Sequence, residues 1–124
     1  MNRSELLPAS LNFVEESHAE ATGRYQGFGQ DFFSELYNQL PSLARSFTFY
    51  RNTDGTDDLW AICQQGPIQF GVQLDPDIEV ICVWDKTTHE EIGTWQPQPI
   101  PYAIDWIKCR RPINLPQRSD NERQ

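Results

Sequence analysis

The chain has 124 residues, a formal charge of −8 and a mean hydropathy of −0.63, which suits one domain able to bury a core without disulfides or a metal. No run of about 18 apolar residues is present, and Met1–Pro8 has no apolar signal core, so neither a membrane span nor a secretory leader is expected. Cys63, Cys82 and Cys109 stand singly, without C-x-x-C or Cys/His spacing, and read as reduced, buried small hydrophobes of a cytoplasmic protein; a Cys63–Cys82 disulfide between neighbouring strands is the alternative.

Residues before Ser10 read as a loose lead-in. From Ser10, Leu11, Val14, His18 and Ala21 recur at three- and four-residue steps, with Glu15, Glu16 and Glu20 opposite, which predicts an amphipathic helix capped by Ser10. Gly23, Gly27 and Gly29 break it. Phe33, Leu36, Tyr37 and Leu40 predict a second helix over residues 31–40, ended by Pro41.

The stretch from Ser46 to Gln96 reads as a five-stranded antiparallel meander: Ser46–Asn52, Leu59–Gln64, Ile68–Leu74, Ile78–Trp84 and Glu91–Gln96. Turn residues separate the strands at Asn52–Gly55, Gln65–Pro67, Asp75–Asp77 and Lys86–Thr88, and loops this short make successive strands neighbours. The third strand alternates most clearly, with Ile68, Phe70, Val72 and Leu74 against Gln69, Gly71 and Gln73. The prolines of Gln96–Pro101 form an extended crossing into a last helix over Tyr102–Cys109, with Pro101 in its first turn. Two helices before the sheet and one after it, packed on it, predict a single α+β domain over residues 1–109. Residues 110–124 read as a disordered basic tail.

Charge is divided along the chain. Between Ser46 and Trp95 the acids Asp54, Asp57, Asp58, Asp75, Asp77, Glu79, Asp85, Glu90 and Glu91 face only Arg51 and Lys86. Such a surface repels bare nucleic acid. Asn52–Asp58 holds three carboxylates but lacks the closing glutamate of a calcium loop, so it reads as a polar hairpin turn. His89-Glu90-Glu91 has Gly93 where a zinc helix needs its second histidine, and His89 reads as a solvated loop residue. Neither phosphate-loop nor dinucleotide-loop nor nucleophile-elbow spacing occurs. No catalytic residue, metal ligand or cofactor is assigned. The aromatics cannot all face inward: Tyr50 opposes Phe47 and Phe49, and Trp60 opposes Leu59, so one sheet face is expected to show an aromatic patch edged by carboxylates.

The run from Leu59 to Ile107 resembles the later part of the SUKH immunity superfamily. Apolar strands lead to Trp84-Asp85, then to the strand Ile92-Gly93-Thr94-Trp95 and the closing helix Tyr102-Ala103-Ile104-Asp105-Trp106-Ile107, about two-fifths of the chain. Leu40-Pro41, which in that group leads into a helix, is read here as the end of one. The resemblance implies an inhibitor of a polymorphic toxin, often a nuclease.

These readings converge on a small acidic protein-binding protein, an inhibitor or immunity-type antagonist rather than an enzyme. Its partner is a protein with a basic surface, such as a toxin or a nucleic-acid-binding protein. Asp54, Asp57, Asp58, Asp75, Asp77 and Glu79 supply charge complementarity, with Trp60 and Tyr50 as anchors. One alternative is a small-ligand or hydrolytic domain with a pocket between sheet and helices, using His89, Glu90, Glu91 and Asp85. Another is a structural or assembly subunit whose exposed strand edge or basic tail joins a larger complex.

Overall fold

The computed structural model describes residues 6–24, 27–54, 58–75 and 77–110. It is an α+β domain in the order β1 (Phe13–Glu16), α1 (His18–Arg24), α2 (Phe28–Gln39), α3 (Pro41–Arg45), β2 (Phe47–Asn52), β3 (Leu59–Gln65), β4 (Ile68–Asp75), β5 (Val80–Trp84), β6 (His89–Ile92) and α4 (Pro99–Lys108). The strands form one antiparallel sheet in sequence order. The fold class is as expected, with six strands in place of five.

The additional strand is β1, which lies inside the segment expected to be helical. Leu11, Val14, His18 and Ala21 match a helical period, but the match spans two elements. Phe13–Glu16 pairs with β2, Phe13 opposite Asn52 and Glu16 opposite Phe49. The helix starts only after Ser17. The Ser17 hydroxyl accepts from the Glu20 backbone N–H at 3.1 Å, and the Glu20 carboxylate accepts from the Ser17 N–H at 3.0 Å. That reciprocal capping box, Ser-x-x-Glu, satisfies two donors that the first turn leaves open.

Other boundaries shift for local reasons. α2 begins at Phe28, preceded by Gly27 at φ 67°, a backbone glycine takes without penalty. Pro41 ends α2 and also starts the short helix α3, because a first-turn residue needs no N–H partner. Pro99 does the same for α4, three residues earlier than expected. β5 starts at Val80, since residues 77–79 form the turn and Glu79 sits at φ 55°. β6 begins at His89, so that histidine is a strand residue rather than a loop residue.

Alternation decides what each sheet face buries. Phe47, Phe49, Leu59, Ala61, Phe70, Val72, Leu74, Ile81, Val83 and Ile92 point to the helical side and pack with Phe32, Phe33 and Leu36 of α2 and with Ala103, Ile104 and Ile107 of α4. Each fully buried ring or branched chain contributes about 1.5–3 kcal/mol. His18 joins α1 to this layer: its Nε2–H donates to the Phe47 carbonyl at 2.8 Å, which leaves Nδ1 to accept from the Tyr37 hydroxyl at 2.8 Å.

The second face has its own core, contrary to the expectation of a loose lead-in and an open aromatic patch. Leu7, Tyr50, Trp60 and Ile62 are buried there, with Leu6, Leu11, Phe13 and Trp84 packed against them. The Trp84 indole N–H donates to the Leu6 carbonyl at 3.0 Å, and Phe13 meets Trp60 edge-on at 5.1 Å. Three apolar residues in a short segment suffice because the rings opposite offer a large area. Tyr50 and Trp60, expected as exposed anchors, are each only 6% exposed.

The cysteines divide as well. All three are free; Cys63 is buried, Cys82 partly buried and Cys109 exposed. β4 separates Cys63 on β3 from Cys82 on β5, and the two side chains leave opposite faces, so the alternative disulfide has no geometry. The expected tail lies outside the described residues except for Arg110. That residue is tied down: its guanidinium pairs with Asp85 at 3.0 Å and lies 3.5 Å over the Trp106 ring.

Candidate functional site

In a meander, turns alternate between the two ends of the sheet. The β2–β3 and β4–β5 turns therefore share an end, and those turns carry Asp54, Asp58, Asp75, Asp77 and Glu79. Asp57 falls outside the described residues. Because Leu59 pairs with Leu74, Asp58 and Asp75 stand at the margins of the same strand pair. The Gln73 amide donates to the Asp58 carboxylate, and Asp75 Oδ1 accepts the Asp77 backbone N–H at 3.0 Å, an Asx turn that stiffens the bend.

Asp54 behaves differently. Its carboxylate accepts the Asn12 backbone N–H at 2.8 Å and the Asn12 side-chain amide at 3.1 Å, and those bonds hold it below the usual carboxylate range. It locks the start of β1 to the β2–β3 turn. Among the described residues no lysine or arginine ion-pairs with Asp75, Asp77 or Glu79; the cationic partners found are Arg51 on Glu16 and Arg110 on Asp85.

A further acid joins the group from β6. Glu91 pairs with Cys82 across β5–β6, and Gln73 pairs with Cys82 across β4–β5. The Cys82 thiol is pushed up to about 11, first by burial and then by the charges of Glu91, Asp58 and Asp75. Three carboxylates from three different segments thus act on one sulfur. They rim a surface recess of about 160 Å³ whose floor is Gln73, Val80 and Cys82. Ile78, 61% exposed, stands at its edge on the β4–β5 turn. Beside it, Pro8, Trp60, Gln73, Trp84 and His89 line a second recess of about 220 Å³. There the Trp84 and His89 rings stack at 6.3 Å.

The four residues considered for acid–base work do not converge. His89 and Glu91 lie on the second face. Glu90 points to the helical side, where the Tyr102 hydroxyl donates to it and the Glu90 charge holds the Tyr102 pKa above its ordinary value. Asp85 closes the opposite end of the sheet: its Oδ1 accepts the N–H and hydroxyl groups of Thr87 and Thr88, and Oδ2 accepts Arg110. Burial alone would raise its pKa, but these bonds hold it well below the carboxylate range.

Among the described residues no set of three or more His, Cys, Asp or Glu side chains is arranged to hold a metal ion, and no helix is long and apolar enough to cross a membrane. Glu91, named from the sequence only for acid–base work, joins the acidic turns because of the β5–β6 register, which the sequence places two residues late. Among the described residues Trp95 and Tyr102, 59% and 44% exposed, are the most exposed large aromatics.

Fold and surface together define a small α+β domain with helices on one sheet face and an acidic, partly open second face. No protein-family model, curated protein or solved structure matches the chain.

Proposed function

We propose that this is a small acidic binding protein that docks on a basic protein surface and blocks it, in the manner of an inhibitor or immunity-type antagonist. The observation that carries this reading is the gathering of Asp58, Asp75, Asp77 and Glu79 at one end of the sheet, where the Asp58 carboxylate accepts from the Gln73 amide and the Asp75 carboxylate from the Asp77 N–H. A preorganised anionic surface steers a cationic partner into contact, and its effect weakens steeply with salt. A toxin's active-site cleft or the groove of a nucleic-acid-binding protein has the matching charge, and the SUKH resemblance of Leu59–Ile107 points the same way. The same negative field disfavours direct binding of nucleic acid.

The test begins with affinity capture from the native host and identification of the co-purifying protein. Rapid-mixing kinetics then compare the wild type with Asp75→Lys, Asp77→Lys and Glu79→Lys. At low salt the association rate should fall by about tenfold or more for the combined variant, with dissociation changed far less. An unchanged association rate refutes the reading.

A further inference from the structure

The N-terminal segment stops partway across the second face. Leu6–Leu11 covers Tyr50, Trp60 and Ile62 and reaches the half-buried Trp84, whose indole N–H donates to the Leu6 carbonyl, whereas on β4–β6 the half-buried Gln73 and Cys82 and the exposed His89 and Glu91 carry no described element over them. Two recesses lie on this open half and meet at Gln73, one rimmed by carboxylates and one walled by rings. An independent feature marks the ringed recess. Trp60 is 6% exposed, yet its indole N–H has no hydrogen-bond partner among the described residues. A buried donor left open is uncommon and calls for an acceptor that is not part of the domain's own framework.

We infer that this half-face seats an extended segment of the basic partner, with a lysine or arginine in the acidic recess and a proline two positions along in the aromatic one. The inference rests on the basic-partner reading and names the segment that partner presents. The spacing comes from the sheet. Cys82 at the floor of the first recess and Trp84 in the wall of the second are two residues apart on one strand, or about 7 Å at the rise of a β-strand. An extended segment aligned with β5 presents residues i and i+2 at the same interval, and a proline-bearing segment differs from it by less than about 1 Å.

The chemistry of each end follows from its lining. Asp58, Asp75 and Glu91 favour a cation, and Ile78 and Val80 cover its aliphatic stem. The Trp84–His89 stack, with Trp60 edge-on to Trp84 at 5.9 Å, offers the flat apolar walls that proline-rich segments use. The Trp60 N–H is closed to solvent, so a backbone carbonyl of the segment, or a water it brings, becomes its acceptor as the covering Leu6–Leu11 segment gives way locally.

The test is an NMR titration of the whole ¹⁵N-labelled chain with the blocked peptide Ser-Arg-Ser-Pro-Ser. The expected result is movement of the Trp60 and Trp84 indole signals and of the Gln73 side-chain amide, with affinity reduced about threefold or more in Glu91→Gln at low salt. Three comparison ligands are a peptide with Gln for Arg, one with three serines between Arg and Pro, and N-acetyl-arginine amide. Each should bind more weakly than the first peptide. Equal binding by any of them, stationary indole signals, or no binding at millimolar peptide overturns the inference. A parallel titration with polylysine follows the backbone signals of Asp77 and Glu79. If polylysine moves those signals while the peptide leaves the indoles still, the segment model fails and the basic-partner reading stands; if polylysine moves nothing, that reading fails as well.

Discussion

Gly71→Ala tests whether the second face is a packed core. Gly71 lies on β4 between Ile62 and Trp84, and a Cβ placed there would fall 2.4 Å from Trp84 Cζ2 and 2.6 Å from Cε2. Carbon atoms settle at roughly 3.5–4.0 Å, so the indole must move by more than about 1 Å. It cannot do so and keep its N–H on the Leu6 carbonyl at 3.0 Å. The lost hydrogen bond is worth about 1 kcal/mol, and overpacking adds about 1–3 kcal/mol. Against this, alanine in a strand is favoured over glycine by about 0.5–1 kcal/mol. The net expectation is a loss of about 1–3 kcal/mol, which at a urea dependence of about 1–2 kcal/mol per M lowers the unfolding midpoint by roughly 1–2 M. Trp84→Leu in the same background should restore part of that loss, because the smaller side chain leaves room for the methyl group. Gly93→Ala is the control. Its Cβ would lie 2.1 Å from Trp95 Cζ3, but that ring is 59% exposed and swings outward, so the change should stay below about 1 kcal/mol. If Gly71→Ala melts like the wild type, Trp84 is not held as described and the second core has to be abandoned.

Three further outcomes follow from the same geometry. Leu7→Ala removes a 4%-exposed side chain and should cost about 2 kcal/mol in urea unfolding, where a loose lead-in would show no change. Asp85→Asn should cost about 2 kcal/mol near neutral pH, since the charged acceptor of Arg110, Thr87 and Thr88 is lost. Because the folded pKa of Asp85 lies below its ordinary 3.8, the unfolded chain binds the proton first. The stability gap between wild type and Asp85→Asn should therefore be constant above about pH 5 and close as pH falls below about 4, read from urea curves across that range. With its thiol near 11, Cys82 is roughly one part in a thousand ionised at pH 8, so iodoacetamide should label exposed Cys109 first. Mass spectrometry should then show Cys82 labelling rise about tenfold per pH unit up to about pH 11, and rise at pH 8 in Glu91→Gln.

Most of the sheet is legible because β4 carries a clear period of two, because β2, β3 and β5 are short runs rich in β-branched and aromatic residues, and because Asn, Asp, Gly and Pro mark the turns between them. β1 was not legible by periodicity, since Val14, His18 and Ala21 imitate a helical stripe across a strand and a helix. The informative signal was local: Ser17 and Glu20, three apart, form a capping box and fix where the helix starts. α3 was hidden by treating Pro41 only as a terminator, although proline both ends one helix and begins the next. The acidic turns could be read as turns, and the meander order dictated that two of them share an end. What covers a face cannot be read from alternation. Alternation sets Tyr50 and Trp60 opposite Phe49 and Leu59, but their cover comes from Leu6 and Leu7, more than forty positions away.

The energetic oddities of the domain cluster on one part of its surface. Asp58 and Asp75 border the same strand pair, and like charges across strands destabilise by about 0.2–1 kcal/mol. Glu79 holds a left-handed backbone at φ 55°, which a non-glycine residue adopts at a cost of about 1 kcal/mol. The Trp60 N–H lacks a partner in the described structure, worth a further 1–3 kcal/mol or so. Elsewhere the same chain solves comparable problems: Asp85 collects four Thr bonds and an arginine, and His18 uses both ring nitrogens. A sequence that satisfies its polar groups at one end of the sheet and leaves repulsion, strain and an open donor around the β4–β5 side has concentrated its local conflicts, and in natural proteins such conflicts collect where another molecule relieves them. A cationic segment seated there would relax the carboxylate repulsion and supply an acceptor in one step. Binding should therefore stabilise the domain most strongly at low salt, where the attraction between these carboxylates and a cationic segment is screened least.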